Sequence, residues 1–201
     1  MILVTTTKLQ TYRLVLMVIQ SEGSSADKDE PKLVQVSWLS QDQWWTDAKS
    51  FAKLKKHYQL ADSDFKFIEK NSLSTDEPAQ AVLIDAIIQI REYALEERRV
   101  FDLPLDLSLG TTFQQQVWQA LQEIKHGETI SYATLARRIG NPKAFRAVAN
   151  ANSNNPFSLV IPCHRVIASD GKLGGYTGGL DKKQYLLALS LIHISEPTRP
   201  Y

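Results

Sequence analysis

Cysteine is nearly absent from this 201-residue chain, which has a single one, Cys163. That excludes an internal disulfide framework and any zinc site built on two or more thiolates. It leaves the thiol as either inert filler or a reagent. Glycine and proline are sparse, at 9 and 8 residues, beside 43% hydrophobic and 22% charged residues. Such a balance excludes collagen-like, low-complexity and mostly disordered chains. Long apolar runs are missing too: the longest, Leu14 to Ile19, falls far short of the roughly 20 residues that span a bilayer. Lys8 and Arg13 interrupt what a signal-peptide core would need. A cytoplasmic protein is expected, nuclear if its source is eukaryotic, with no membrane partner. The length suits one large domain or two small ones.

Another absence is local. The net charge is +1, but residues 1–104 carry 13 Lys and Arg against 16 Asp and Glu, whereas residues 105–188 carry 9 against 5. No acid lies between Glu128 and Asp170, a stretch that holds Arg137, Arg138, Lys143, Arg146 and Arg165. A one-signed segment suits a polyanion; a solvated face that happens to lack acids is the alternative.

What is present in the first hundred residues reads as a strand pair followed by helices. Tyr12–Ile19 and Lys32–Leu39 are short β-rich runs joined by a polar stretch, Ser21 to Pro31. Gln43 to Tyr58 has helical periodicity, and Asp76-Glu77-Pro78 opens a long helix from Ala79 to about Arg99. Trp38, Trp44 and Trp45 are expected in the core rather than stacked on bases. No catalytic constellation is found in this half. Val100 to Gly110 reads as an extended linker, and Phe113 to Ile124 as an amphipathic helix started by Gly110-Thr111-Thr112.

Ser131 caps an expected helix from Tyr132 to Ile139, Gly140-Asn141-Pro142 makes a tight turn, and Lys143 to about Asn152 forms a second short helix. Helix, turn and helix with this basic content match a DNA-binding helix-turn-helix, although any helical hairpin gives the same spacing.

Val160 to Ile167 sets the only thiol between Pro162 and His164 in an apolar, strand-like run. A thiol is a nucleophile as thiolate, and an imidazole, cations or a helix N-terminus lower its pKa from about 8.5. On a strand, however, adjacent side chains point to opposite faces, so a water or a local turn would be needed to connect Cys163 with His164. A buried, inert Cys163 is the alternative.

Pro162-Cys163-His164-Arg165-Val166, preceded by Phe113-Gln114-Gln115-Gln116-Val117-Trp118, Ser131-Tyr132, Gly140-Asn141-Pro142-Lys143, Arg146-Ala147-Val148 and Asn155-Pro156, and followed by Gly175-Tyr176, Gly178-Gly179 and Lys183, resembles the O6-alkylguanine-DNA alkyltransferases, or methylated-DNA-protein-cysteine methyltransferases. The resemblance covers about residues 100 to 188. It implies an α+β fold: an N-terminal ribonuclease-H-like α/β domain, residues 1–103, and a C-terminal helical domain, residues 104–188. The second carries the helix-turn-helix, winged-helix-like, and the active-site motif. It further implies single-turnover repair of O6-alkylguanine, and of O4-alkylthymine, in double-stranded DNA by transfer of the alkyl group to Cys163, without cofactor or metal. The protein is expected to act as a monomer from the minor groove.

By the same resemblance Cys163 is the acceptor, with His164 its activating imidazole. Tyr132 donates toward guanine N3 and helps rotate the nucleotide out, and Arg146 fills the gap in the stack. Asn155 ties the helix-turn-helix to the active-site segment. Val166, Tyr176 and the backbone of Thr177 form the base pocket, and Asn141, Ser169 and Gln114 meet phosphates. As plain residues, Tyr132 has packing as its alternative, and Asn155 reads equally as a turn starter.

The chain departs from the family at Ser190, where members carry a glutamate that orients the histidine; a neutral hydroxyl cannot stabilise an imidazolium as a carboxylate does. The segment from Leu189, through Arg199, is similar to the translation of a transposase-end adapter used in sequencing libraries. Residues 189–201 are therefore taken as an assembly artefact, with the natural chain continuing past Ala188 to a glutamate. Two rival functions stand beside the transferase. One is a non-transferring relative that flags damage, which lacks the cysteine; the other is a Cys-His hydrolase, which needs an oxyanion hole and turns over.

Overall fold

A computed structural model describes residues 1–20, 30–40, 42–47 and 49–191. The chain divides into two compact units, Met1–Leu109 and Gly110–Tyr201. The protein is α+β, and among the described residues no helix is long and apolar enough to cross a membrane.

The first unit is built on a four-stranded sheet in the order β3-β2-β1-β4, from β1 (Ile2–Leu9), β2 (Tyr12–Ile19), β3 (Lys32–Leu39) and β4 (Phe65–Phe67). β1 and β2 form a tight antiparallel hairpin in which Leu9 pairs with Tyr12, turned by Gln10 at φ 52. β3 continues antiparallel beside β2, and β4 joins β1 in parallel. Sequence reading found β2 and β3 but missed β1 and β4. Thr5, Thr6 and Thr7 blur β1's alternation, yet Thr5 is buried, its hydroxyl donating to the Ile68 carbonyl at 2.8 Å.

Both faces of the sheet are covered, which is why Leu14 to Val18 is continuously apolar and fully buried. Ile2, Val4, Val15, Met17 and Val34 share one cluster with Leu54 of α1 (Lys49–Tyr58) and with Trp45 and Phe65. Alternation turns Leu3, Leu14, Leu16 and Val18 to the other face, where α2 (Pro78–Ala94) packs on β1 and β2. Of the three tryptophans expected in the core, Trp45 is buried, Trp38 is half-buried, and Trp44 is 48% exposed against Phe67.

α2 ends at Ala94 rather than near Arg99. Glu96 takes a left-handed φ of 62, and the Arg98 guanidinium folds back onto the Glu92 carboxylate at 2.6 Å. The expected linker also contributes to the sheet edge: Leu33 donates to the Pro104 carbonyl and Asp106 donates to that of Leu33.

The second unit is helical: α3 (Thr112–Gln122), α4 (Tyr132–Arg138), α5 (Phe145–Ser153) and α6 (Leu180–Leu191), with a short parallel pair, β5 (Ile130–Ser131) and β6 (Val166–Ile167). Thr111 and Gln114 close a capping box on α3. Trp118 of α3 is fully buried, and its indole N–H reaches the Ala151 carbonyl of α5 at 2.9 Å. Gly110 makes this packing possible, since any Cβ there would enter the Trp118 ring.

Candidate active site

Two short segments meet through the β5–β6 pair, where Ile130 lies opposite Val166 and Ser131 opposite Ile167. Tyr132 follows the first strand directly, and Cys163 precedes the second by three residues. Parallel pairing over two residues therefore brings a phenol and a thiol that are far apart in sequence to one place. Ser131 sets the turn into α4 by accepting the Thr134 N–H at 3.1 Å.

The run around Cys163 is not a strand. Cys163–Arg165 form a 3-10 turn before β6, with the Cys163 N–H bonded to the Ile161 carbonyl at 2.7 Å. The expectation of alternating faces fails here because Pro162, which has no N–H, cannot join a ladder. Even so, no Cys163–His164 hydrogen bond forms. His164 is fully buried, with neither ring nitrogen partnered among the described residues. Burial, and then the positive charges of Arg165 and Lys183, hold its pKa well below the ordinary histidine value. Cys163 is 5% exposed. Burial pushes its thiol up, while hydrogen bonds from Asn155 and Tyr176 and the charge of Lys183 pull it back.

Asn155 bridges two stretches of backbone. Its Nδ2 donates to the Ile161 carbonyl at 3.0 Å and its Oδ1 accepts the Phe157 N–H at 3.0 Å. This pins the end of α5 to the segment leading into Cys163. The loop between β6 and α6 closes the other side, turning at Gly171, Gly174 and Gly179, all with positive φ. Gly174 lies against the ring of Tyr132, and the Thr177 hydroxyl donates to the Ser153 carbonyl at 2.7 Å. The result is a narrow pocket lined by Asn152, Asn155, Cys163, Tyr176 and Thr177. Val166 is buried. Tyr132 is half-buried, its phenol pKa raised by burial and by the neighbouring thiol.

The remaining expected site residues lie elsewhere on the unit. Arg146, in the first turn of α5, is exposed, its guanidinium 5.7 Å from the Phe145 ring centre. Asn141 and Ser169 are exposed as well. Gln114 is half-buried, and its Oε1 accepts the Thr111 N–H at 2.9 Å, so its carbonyl is committed to the α3 cap. Arg137, Arg138 and Lys143 are exposed, whereas Arg165 is buried and donates to the Ile124 carbonyl at 2.7 Å. Arg165 thus belongs to the core and not to the basic surface.

Two residues in the site went without a role in the sequence reading. Lys183 is buried, and its ammonium bonds to the carbonyls of Val166, at 2.7 Å, and Leu173. Burial brings its pKa down to about 8. The available signal was a lysine on the apolar stripe of α6 with Leu186 and Leu187. Asn152, 4% exposed, donates from Nδ2 to the Cys163 carbonyl at 3.4 Å; the neighbouring Asn150, Asn154 and Asn155 hid any cue. Among the described residues no three His, Cys, Asp or Glu cluster as a metal site would require.

Residues 112–190 match the family model described as 6-O-methylguanine DNA methyltransferase, DNA binding domain. Over 108 residues the chain is 54% identical to a methylated-DNA-protein-cysteine methyltransferase of Mycolicibacterium paratuberculosis, a stretch covering 54% of this chain and 65% of that relative. The matched stretch thus spans just under two thirds of the relative's length. The crystal structure of Mycobacterium tuberculosis O6-methylguanine methyltransferase superposes with TM-score 0.69 at 32% identity, covering 98% of this chain and 96% of that one. A structure of the Mycobacterium tuberculosis protein in complex with DNA gives 0.66 at 31% identity, covering 94% and 93%.

Proposed function

Since the chain belongs to the methylated-DNA-protein-cysteine methyltransferase family, we propose that it repairs O6-alkylguanine in double-stranded DNA by moving the alkyl group, once per molecule, onto Sγ of Cys163. The observation that carries this reading is the pocket itself: a nearly buried thiol beside Tyr132, Tyr176 and Thr177, on a unit whose exposed Arg137, Arg138, Lys143 and Arg146 have no acid in the intervening sequence.

In the reaction the thiolate attacks the alkyl carbon in line, forming the S–C bond as the C–O6 bond breaks, and the bonding pair stays with the base. The guanine departs with negative charge spread from O6 to N3. Tyr132 donates there and the Thr177 N–H meets O6, with the thiol's proton ending on the base. Lys183 and Asn155 favour the thiolate, while His164, its pKa held low by burial, is a weak acceptor for the thiol's proton. No step restores the thiol, so each molecule acts once.

To reach a base inside a duplex the nucleotide must be turned out of the stack. Arg146 takes its place from the minor groove, since a guanidinium is planar, keeps its charge and donates in a fork. Asn141, Ser169 and Nε2 of Gln114 hold phosphates, and Val166 and Tyr176 wall the base. O4-alkylthymine is accepted by the same thiol. The protein works as a monomer, in the cytoplasm or a eukaryotic nucleus, and needs no cofactor.

Intact-protein mass after incubation with an oligonucleotide containing O6-methylguanine tests this. The expected result is a gain of one methylene per molecule that stops after one equivalent, with none in Cys163→Ala, which still binds DNA. Multiple turnovers, or transfer by the variant, would refute it, and ester hydrolysis would support the hydrolase instead.

A further inference from the structure

We infer that Phe145 is a second wedge into the duplex, its ring entering the minor groove beside the Arg146 guanidinium and unstacking the base step next to the lesion. The inference rests on the alkyl-transfer reading above, and it concerns the duplex left behind rather than the base in the pocket. Phe145 opens α5 and is 46% exposed. Val148 and Asn152, three and seven residues on and therefore on the same helical face, are both buried. The ring is thus left out at the start of a stripe that is otherwise packed. Its neighbours do not screen it, since Lys143, Arg146 and Ala147 are exposed too and Ala147 is too short to cover a ring.

Single exposed apolar residues are common and mostly carry no meaning. Two features set this one apart. The Arg146 guanidinium lies 5.7 Å from the ring centre, within the range of attraction between a cation and an aromatic face, so ring and guanidinium are presented together. The ring also stands in the stretch without acids between Glu128 and Asp170, on a surface that suits a polyanion. Minor-groove proteins insert apolar side chains of this kind between base steps, unstacking them and kinking the duplex. A phenyl ring has no polar atom with which to read a base edge, so its contribution is stacking, which tolerates any sequence. Consecutive residues leave a helix about 100° apart around its axis. The two side chains therefore enter different gaps, Arg146 the vacated position and Phe145 the step alongside.

Holding Arg146 in place is the competing use of the ring, and a double-mutant cycle separates the two. Single-turnover transfer from duplex O6-methylguanine is measured for wild type, Phe145→Ala, Arg146→Ala and the double variant. Phe145→Ala is expected to slow duplex transfer about fivefold or more, to slow it again in the Arg146→Ala background, and to spare transfer from the free modified base. Phe145→Leu, still apolar, should recover part of the rate. With Cys163→Ala to prevent transfer, 2-aminopurine on one flank of the lesion should brighten on binding, and adding Phe145→Ala should remove that signal. Loss of a neutral ring should also leave the salt dependence of DNA affinity unchanged, whereas Arg146→Ala lowers its slope by about one.

No effect of Phe145→Ala once Arg146 is gone, or flanking fluorescence that persists without the ring, overturns the inference. So does an equal loss on the free base, which assigns the ring to the fold, or self-association of wild type without DNA that Phe145→Ala abolishes, which assigns it to a second copy. No transfer from O6-methylguanine by wild type overturns the alkyl-transfer reading itself, so the two failures are distinguishable.

Discussion

The Lys183 ammonium bonds to the Val166 carbonyl, 2.7 Å away and three residues beyond Cys163, and in the same position to the carbonyl of Leu173 in the glycine-rich loop. One buried cation thereby fastens the loop to the active-site segment and lends positive charge to the thiol. Its own pKa, pushed down to about 8 by burial, sets the window: the charge is present below pH 8 and fades above it. Lys183→Met should slow iodoacetamide alkylation of Cys163 about tenfold at pH 7.5, as expected for a thiol pKa raised by about one unit. The deficit should narrow above pH 8, where wild type loses the cation too. A deficit constant with pH would mean that Lys183 serves only to hold the loop.

Arg146 lies at the exposed start of α5 with its guanidinium near the Phe145 ring. Removing it should matter where a base must be replaced in the stack. Unstacking costs a few kcal/mol, so Arg146→Ala is expected to slow transfer from duplex O6-methylguanine by tenfold or more while sparing transfer from the free modified base. Equal losses on both substrates would assign Arg146 to the fold.

His164 connects burial to acid stability. Folded, its pKa lies well below the ordinary value of 6.5; unfolded, it takes up a proton near that value. Below pH 6.5 the unfolded chain therefore binds more protons, and stability falls as pH falls. The loss from this group grows as pH falls from 6.5 toward the folded-state pKa. Urea unfolding of wild type and His164→Phe at pH 7 and pH 5 isolates it, and the variant should lose less. Parallel losses in both proteins would show that His164 is protonated in the fold.

The sequence reading succeeded where local chemistry is self-contained. Thr111 and Ser131 cap their helices as their positions suggest, and the α4–turn–α5 hairpin follows from Gly140 and Pro142. It failed where long-range contacts decide. β4 is three residues long and exists because β1 offers it an edge, while Glu92 recaptures Arg98 and ends α2 early. In the site, residue types named Cys163 and Tyr132, but only the β5–β6 pairing puts them together. Lys183 and Asn152 act through backbone carbonyls that no residue pattern displays, and Arg165 reads as a surface cation until its bond to Ile124 is seen. Leu189 to Leu191, set apart by sequence as an artefact, continue α6, and the family match reaches Ser190; residues 192–201 lie outside the described residues.

Ser190 is 1% exposed, and its hydroxyl donates back to the Leu187 carbonyl at 3.1 Å. It lies one heptad from Lys183, on the buried stripe of α6, and α6 packs against the 3-10 turn that holds His164. A hydroxyl spent on its own helix gives the imidazole nothing to pair with, in keeping with the two nitrogens of His164 that have no partner among the described residues. A carboxylate on this stripe would favour the imidazolium and raise the histidine pKa, making His164 able to accept the thiol proton near neutrality. Ser190→Glu is thus expected to speed methyl transfer at pH 7, with the gain shrinking as pH rises toward the thiol's own ionisation. Ser190→Gln, of the same size but uncharged, should give little of it. Rates for Ser190→Glu that match wild type across the whole pH range would separate position 190 from the activation of Cys163.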